Sequence, residues 1–413
     1  MTRANPHPRA PRAPGAPRTP RPAGGWRLPV DPAPALSAAG LLVIAVITLA
    51  LFGGSLPLPG GGEGPGGPIR TPTPSNVVVI DPRADVPGSL LYVKGGNLWI
   101  QAGDTARQLT SSGRDSMPAW APDGASIYFV RTSAEEGRWP SAGETKPYNL
   151  EVPTLFRMAA DGTGDPEKLL TGRLKRNGNT WSYFIREPAI SPDGSRIAIV
   201  SDGPDPSRSD VVVKLLDPAT GELTDPRLGQ TQGLGHQDPA WSPDSRFLAY
   251  VRNAREGARG VPAIYRYNPA NDRSAAITGG GYTDPAYSRD GRYLVATKTS
   301  NFGTDIVILD ARTGVEQLVV THDEQSFNPV WSPKGDAIAF FRVTHGVVDL
   351  YLVQLTGSGP TWTLGEPLAL TISAGLDAAS RPAWFIPADE LPPLPTDTPA
   401  ASGAAPAGST GTP

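Results

Sequence analysis

The sequence predicts an all-β fold, a six-bladed propeller, on three observations. A phrase of the form Pro-x-Trp-Ser-Pro-Asp-Gly returns six times with variations. An apolar run follows each of the first five copies, and the last copy is cut short. A repeat of roughly 40–50 residues, rich in short strand signals, is the signature of propeller blades.

The copies read Pro118-Ala-Trp-Ala-Pro-Asp-Gly124, Pro188-Ala-Ile-Ser-Pro-Asp-Gly194, Pro239-Ala-Trp-Ser-Pro-Asp-Ser245, Pro285-Ala-Tyr-Ser-Arg-Asp-Gly291, Pro329-Val-Trp-Ser-Pro-Lys-Gly335 and Pro382-Ala-Trp-Phe-Ile-Pro387. The leading prolines are 70, 51, 46, 44 and 53 residues apart. The first step requires loop insertions.

Each unit supplies four strand signals. The phrase itself is the first. Runs such as Ile127-Tyr-Phe-Val130 and Ile338-Ala-Phe-Phe341 are the second. Asp305-Ile-Val-Ile-Leu309 typifies the third, and Leu318-Val-Val-Thr321 the fourth. The Ser-Pro-Asp-Gly element is a tight turn between strands one and two. Pro presets φ, Asp bonds nearby backbone, and Gly accepts positive φ at the exit. The aromatics before it, Trp120, Trp241 and Trp331, are expected to wedge between blades.

Counting strands also predicts how the ring closes. Pro382-Ala-Trp-Phe385 has no strands after it, while residues 90–110 supply three strands with no such phrase before them. One carboxy-terminal strand beside three amino-terminal strands completes the sixth blade.

Outside the repeats, residues 1–34 form a Pro/Arg-rich tail expected to be disordered, with six Arg against Asp31. Residues 35–52 are apolar and uncharged, and at about 1.5 Å per residue they span about 27 Å, close to a bilayer's hydrocarbon thickness. The reading is a signal anchor. The arginines on its amino side place the amino terminus in the cytoplasm and the propeller outside. The rival is a signal peptide cleaved near residues 53–55, which leaves a secreted protein. Residues 53–85 read as a Gly/Pro-rich linker, 86–387 as the propeller, and 388–413 as a second disordered tail.

Composition narrows the function. The chain has no cysteine, which excludes disulfides, thiolate zinc sites and cysteine nucleophiles. Net charge is −3, and the body after residue 34 is more acidic, with 31 basic and 39 acidic residues. That balance argues against a nucleic-acid partner. No Gly-x-Ser-x-Gly nucleophile elbow occurs. No cofactor is expected.

The repeated phrase with its Ile-Ala-Phe-like strand resembles the TolB-type propeller repeat over 86–387. The resemblance implies the fold, and it implies a channel able to accept a partner peptide. TolB-like proteins carry an α/β domain ahead of the propeller, and here only the 53–85 linker stands in that place. Peptidase relatives carry a hydrolase domain, which this sequence lacks.

Candidate binding residues follow from position in the blade. The residue before each leading Pro is expected at the channel mouth: Met117, Glu187, Asp238, Asp284, Asn328 and Arg381, with Tyr282 and Phe327 nearby. The alternative is local capping of a turn by these short polar side chains. Two long loops, 132–153 and 172–187, share that face, and the second offers Trp181, Tyr183, Phe184 and Arg186 as an exposed contact or as residues tucked onto the blade. His236, His322 and His345 are placed in loops of the same face. Their spacing gives no paired metal-ligand pattern, so no metal site is expected. The reading is a non-catalytic module binding an envelope protein, a peptide or a wall glycan. The alternative is a lyase or hydrolase acting on polysaccharide or peptide, with the mouth acids and histidines as its acid–base set.

Overall fold

Six sheets surround a channel in the computed structural model. It describes residues 77–79, 86–141, 144–176, 178–206, 209–228, 235–253 and 261–393. The apolar run 35–52 lies outside the described residues. Among those described, no helix is long and apolar enough to cross a membrane.

Blade 1 comprises Asp115–Trp120, Ser126–Ser141, Glu144–Ala159 and Glu167–Thr171, ordered from the channel outward. Blade 2 comprises Arg186–Ile190, Ile197–Ser201, Val212–Leu216 and Leu223–Thr224. Blade 3 comprises His236–Trp241, Leu248–Arg252, Ala263–Asn268 and Arg273–Ala276. Blade 4 comprises Tyr282–Tyr287, Tyr293–Thr299, Thr304–Asp310 and Glu316–Val319. Blade 5 comprises Ser326–Trp331, Ala337–Thr344 and Val347–Thr356, with two short outer segments, Thr363–Leu364 and Leu368–Ala369.

Blade 6 closes the ring as the strand count requires. Ala383–Phe385 is its innermost strand and pairs antiparallel with Val86–Lys94, with Leu90 opposite Trp384. Asn97–Gly103 and Thr105–Gln108 follow outward. Val77–Val79 adds a fifth strand at the outer edge, so part of the expected linker belongs to the sheet. Its three β-branched residues are the local reason. The inner strands touch in an unbroken circuit from blade 1 round to blade 6 and back.

Each blade is buried on both faces, which explains the continuous apolar runs. In Ile197–Ser201, Ile197 and Ile199 pack toward blade 1, while Ala198 and Val200 pack toward blade 3. Successive side chains of a strand point to opposite faces, so a sheet between two neighbours needs apolar residues at every position. Six buried clusters result, one for each pair of adjacent blades.

The repeated turn is a set of hydrogen bonds. The Ser191 hydroxyl donates to Asp193 Oδ1 at 2.6 Å and accepts from the Arg196 N–H at 3.0 Å. Ser242 with Asp244 and Ser288 with Asp290 repeat the 2.6 Å contact. These serines are buried, so their hydroxyls need such partners. The Ser191 hydroxyl bond is the main reason Asp193 sits below the ordinary carboxylate range. A second lock sits in the outer strands. Thr110, Thr278, Thr321 and Thr371 each accept an N–H from the first four residues of a third strand, at 2.9–3.0 Å.

Of the expected wedging aromatics, Trp241 and Trp331 are buried and Trp120 is half-buried against blade 6. The Trp241 indole donates to Ala189 O of blade 2, and the Trp120 indole to Ala383 O of blade 6, both at 3.0 Å. Trp331 packs against Trp362 instead, at 6.1 Å between centroids.

Two stretches read as loops are β-hairpins. The second and third strands of blade 1 stay paired along their whole length to Ser141 and Glu144. Arg173–Arg176 pairs with Asn179–Ser182 beside them. The Tyr148 hydroxyl joins the two hairpins by donating to Thr180 O at 2.7 Å. Packing also continues past residue 387: Leu391 rests on the blade 5–blade 6 cluster, and Arg289 donates to Pro392 O.

Candidate functional site

The channel mouth is built by one backbone irregularity repeated in five blades. The leading Pro of each phrase has no N–H, so the ladder breaks there into a bulge. The residue before it takes the left-handed conformation: Met117, Glu187, Asp238, Asp284 and Asn328 have φ of 51–54°. The bulge withdraws that residue's N–H from the ladder, so it needs another acceptor.

The side chains at these positions supply it, each for the next blade. Glu187 N donates to Met117 Sδ at 3.2 Å. Asp238 N donates to Glu187 Oε2 at 2.6 Å. Asp284 N donates to Asp238 Oδ2 at 3.2 Å. The expected capping therefore acts between blades rather than within a turn.

The relay is interrupted at blade 5. Asn328 N donates to Thr297 Oγ1 at 3.2 Å, and Asn328 Nδ2 to Ala378 O at 2.7 Å. Asp284 thus has no blade 5 N–H to cap. It faces Arg381 instead, with Nη2 3.9 Å from Asp284 Oδ1. Arg381 reaches past blade 5 to blade 4, where Nη1 donates to Pro285 O at 2.8 Å. Met117 N closes the circuit on Ser380 Oγ at 2.9 Å. Ser380, Thr297 and Ala378 escape a sequence reading because nothing in the repeated phrase marks them.

Glu187, Asp238, Asp284 and Arg381 therefore form one cluster. Burial, then the charges of Asp284 and Glu187, push the Asp238 carboxyl well above its ordinary value, while Arg381 pulls it down. The folded protein thus holds a proton that the unfolded chain releases near pH 4, and stability falls as pH rises through the raised value. Asp238→Asn keeps an oxygen for Asp284 N and removes the charge. Its melting temperature should exceed the parent's by about 2–4 °C at pH 8, with the gap closing toward pH 4. Parallel melting curves across that range would refute the assignment.

The other expected site residues are dispersed. Arg186 joins the mouth indirectly, 3.4 Å from Glu187. Tyr183 is buried, donates to Thr171 O and packs against Gly203, so it is not an exposed contact. Trp181 is half-buried on the second hairpin, whereas Phe184 stands out at 48% exposure. Tyr282 leans on Glu316, and Phe327 packs edge-on against Phe341. His236 corrects the loop expectation. It begins the inner strand of blade 3, is 3% exposed, accepts from Val213 N and packs on Tyr250. An imidazole enclosed between two blades is core. His322 and His345 are exposed. No group of three or more His, Asp or Glu among the described residues is placed to hold a metal.

The same face carries a cleft of about 190 Å³ between blades 1 and 2, lined by Met117, Glu151, Tyr183, Phe184 and Arg186 among others. It also carries exposed apolar side chains on loops between strands two and three or leading into strand one: Phe184, Val261, Phe302 and Ile372. Val315 is the other large one among the described residues, and it sits on the opposite face.

Residues 167–365 match the sequence model of the TolB beta propeller domain. Over that span the repeat is similar to that domain's. No curated protein matches the sequence. TolB from Acinetobacter baumannii superposes with a TM-score of 0.53 at 19% identity, over 73% of this chain and 67% of that one. A putative TolB from Agrobacterium tumefaciens gives 0.51 at 18% identity, over 73% and 95%. At these identities the likeness speaks for the fold. The TolB-type repeat matched by sequence spans blades 2 to 5, while the turn and strand pattern runs on through blades 1 and 6.

Proposed function

We propose that this protein is a non-catalytic binding module of the cell envelope. It is held at the membrane by the run 35–52 and presents the channel-mouth face to a protein or peptide partner. One observation carries the reading: four of the five large exposed apolar side chains among the described residues stand on that face. Exposed apolar side chains biased to one face suit an interaction surface. The acidic mouth beside them suits a cationic group, an amine or a basic side chain.

Phe302 and Ile372 are 80% and 82% exposed, so removing them does not disturb the core. Full-length Phe302→Ser/Ile372→Ser should keep its melting temperature and lose at least about tenfold in affinity for the partner the parent protein captures from envelope extract. Val315→Ser, on the opposite face, should bind like the parent. Equal affinity in all three proteins would sink the proposal.

A second reading, hydrolase or lyase, draws on the raised Asp238 carboxyl, the property a general acid needs. Against it, Glu187 and Asp238 are already engaged by neighbouring N–H groups, and His236 lies in the core. Turnover of a polysaccharide or peptide substrate that disappears in Asp238→Asn would favour this reading over the first.

A further inference from the structure

On the face opposite the channel mouth, a groove of about 530 Å³ opens between blades 3 and 4. It arises where the repeat departs from its own pattern. Blade 4 has Tyr287 where blades 1 and 3 have Trp, and Arg289 where most copies have Pro. In blades 1 and 3 the indole fills the gap and donates to the preceding blade's backbone. The Tyr287 hydroxyl is enclosed but has no hydrogen-bond partner. Burial pushes its pKa up to about 12, so it remains a donor in neutral solution.

Four guanidinium side chains line the groove: Arg266, Arg289, Arg292 and Arg312. The Arg266 guanidinium sits over the Phe247 ring, 4.8 Å from its centroid, a cation–π contact that holds it at the groove. Among the described residues neither Arg266 nor Arg312 makes an ion pair within 4.0 Å. Three aspartates also line the groove, and each has an oxygen occupied by its own turn. Asp244 Oδ1 accepts from Ser242 and Arg246 N, and Asp290 Oδ1 from Ser288 and Arg292 N. Asp310 Oδ1 accepts from Arg312 N and from Thr313. The arginines outnumber the acids, and an unsatisfied hydroxyl stands beside them.

We propose that this groove is a binding site for an oxyanion carried on a small ring, the chemistry of a sugar phosphate or a uronate. Arg266 and Arg312 supply paired N–H donors, the geometry that planar carboxylate and phosphate accept. Tyr287 donates a further hydrogen bond. The volume falls in the range of small-ligand sites, and Tyr287 and Tyr293 offer apolar surface for a ring. The site is independent of the channel-mouth reading, because it lies on the other face and shares no residue with it.

The test is calorimetric titration of the full-length protein at low ionic strength with glucose 6-phosphate, glucuronate, inorganic phosphate and neutral glucose. Saturable binding of either charged sugar, with none for glucose, is expected. Phosphate alone should bind more weakly than the sugar phosphate. Arg312 is exposed, so Arg312→Gln should fold normally and weaken binding at least about tenfold. Tyr287→Phe should weaken it several-fold with an unchanged melting temperature. No saturable binding of either charged sugar would overturn the site. So would equal affinity for glucose, phosphate binding as tightly as the sugar phosphate, or full affinity in Arg312→Gln.

Discussion

Removing residues 380–413 should open the ring and abolish cooperative unfolding at the parent's melting temperature, while removing residues 394–413 should leave it unchanged. The first truncation takes away the inner strand Ala383–Phe385 and every bond it makes. Trp384 is 8% exposed and its indole donates to Pro87 O at 2.8 Å. Phe385 packs at a tilt on Trp120, 5.3 Å between centroids, and Ala383 O accepts the Trp120 indole N–H. Burial of one such aromatic is typically worth about 3–5 kcal/mol, and here two are lost together with a strand. The exposed edge would also invite pairing with other chains. The second truncation starts beyond Leu391 and Pro392, the last of the described residues with a packing contact. The same loss of melting temperature in both truncations would refute closure by this strand.

The fit at the seam is tight enough to test from the other side. Gly88 has φ of 71°, and a Cβ there would lie 2.2 Å from Phe385 O. Neither the backbone conformation nor the space admits a side chain.

Trp241→Ala should cost about 3–5 kcal/mol, which is a fall of several degrees in melting temperature. The ring sits in the blade 2–blade 3 cluster at 8% exposure. Trp241→Phe separates packing from hydrogen bonding. It leaves Ala189 O without its donor and should cost about 1 kcal/mol beyond the volume change. Trp331→Phe should be the milder substitution, because the Trp331 indole N–H is enclosed without a hydrogen-bond partner. A Trp331→Phe loss equal to that of Trp241→Phe would contradict the role given to the indole bond.

Much of the fold was legible because the repeat is local. Pro, Asp and Gly act on the turn they belong to, and each apolar run reports the burial of its own strand. The channel-mouth positions were legible for the same reason, since the residue before each Pro is defined by sequence. Their roles were not. Asp238 and Glu187 were equally readable as turn caps or as ligand groups, and their actual partners lie one blade away. His236 was misplaced by the same limit: as sequence it borders a loop, but in space Tyr250 covers it. The hairpin extension over 132–153 and the hairpin at 173–182 were read as loops because their strands lack the apolar pattern of a blade.

By itself, then, the sequence determined the number of blades, the turn chemistry and the closure by one carboxy-terminal strand beside three amino-terminal strands. Those follow from short-range bonding and from counting strands. Only the tertiary structure decided which acids share a site, which aromatics are exposed, and that Tyr287 and Arg289 open a groove. These depend on side chains from different blades meeting, and periodicity does not encode the distances between them.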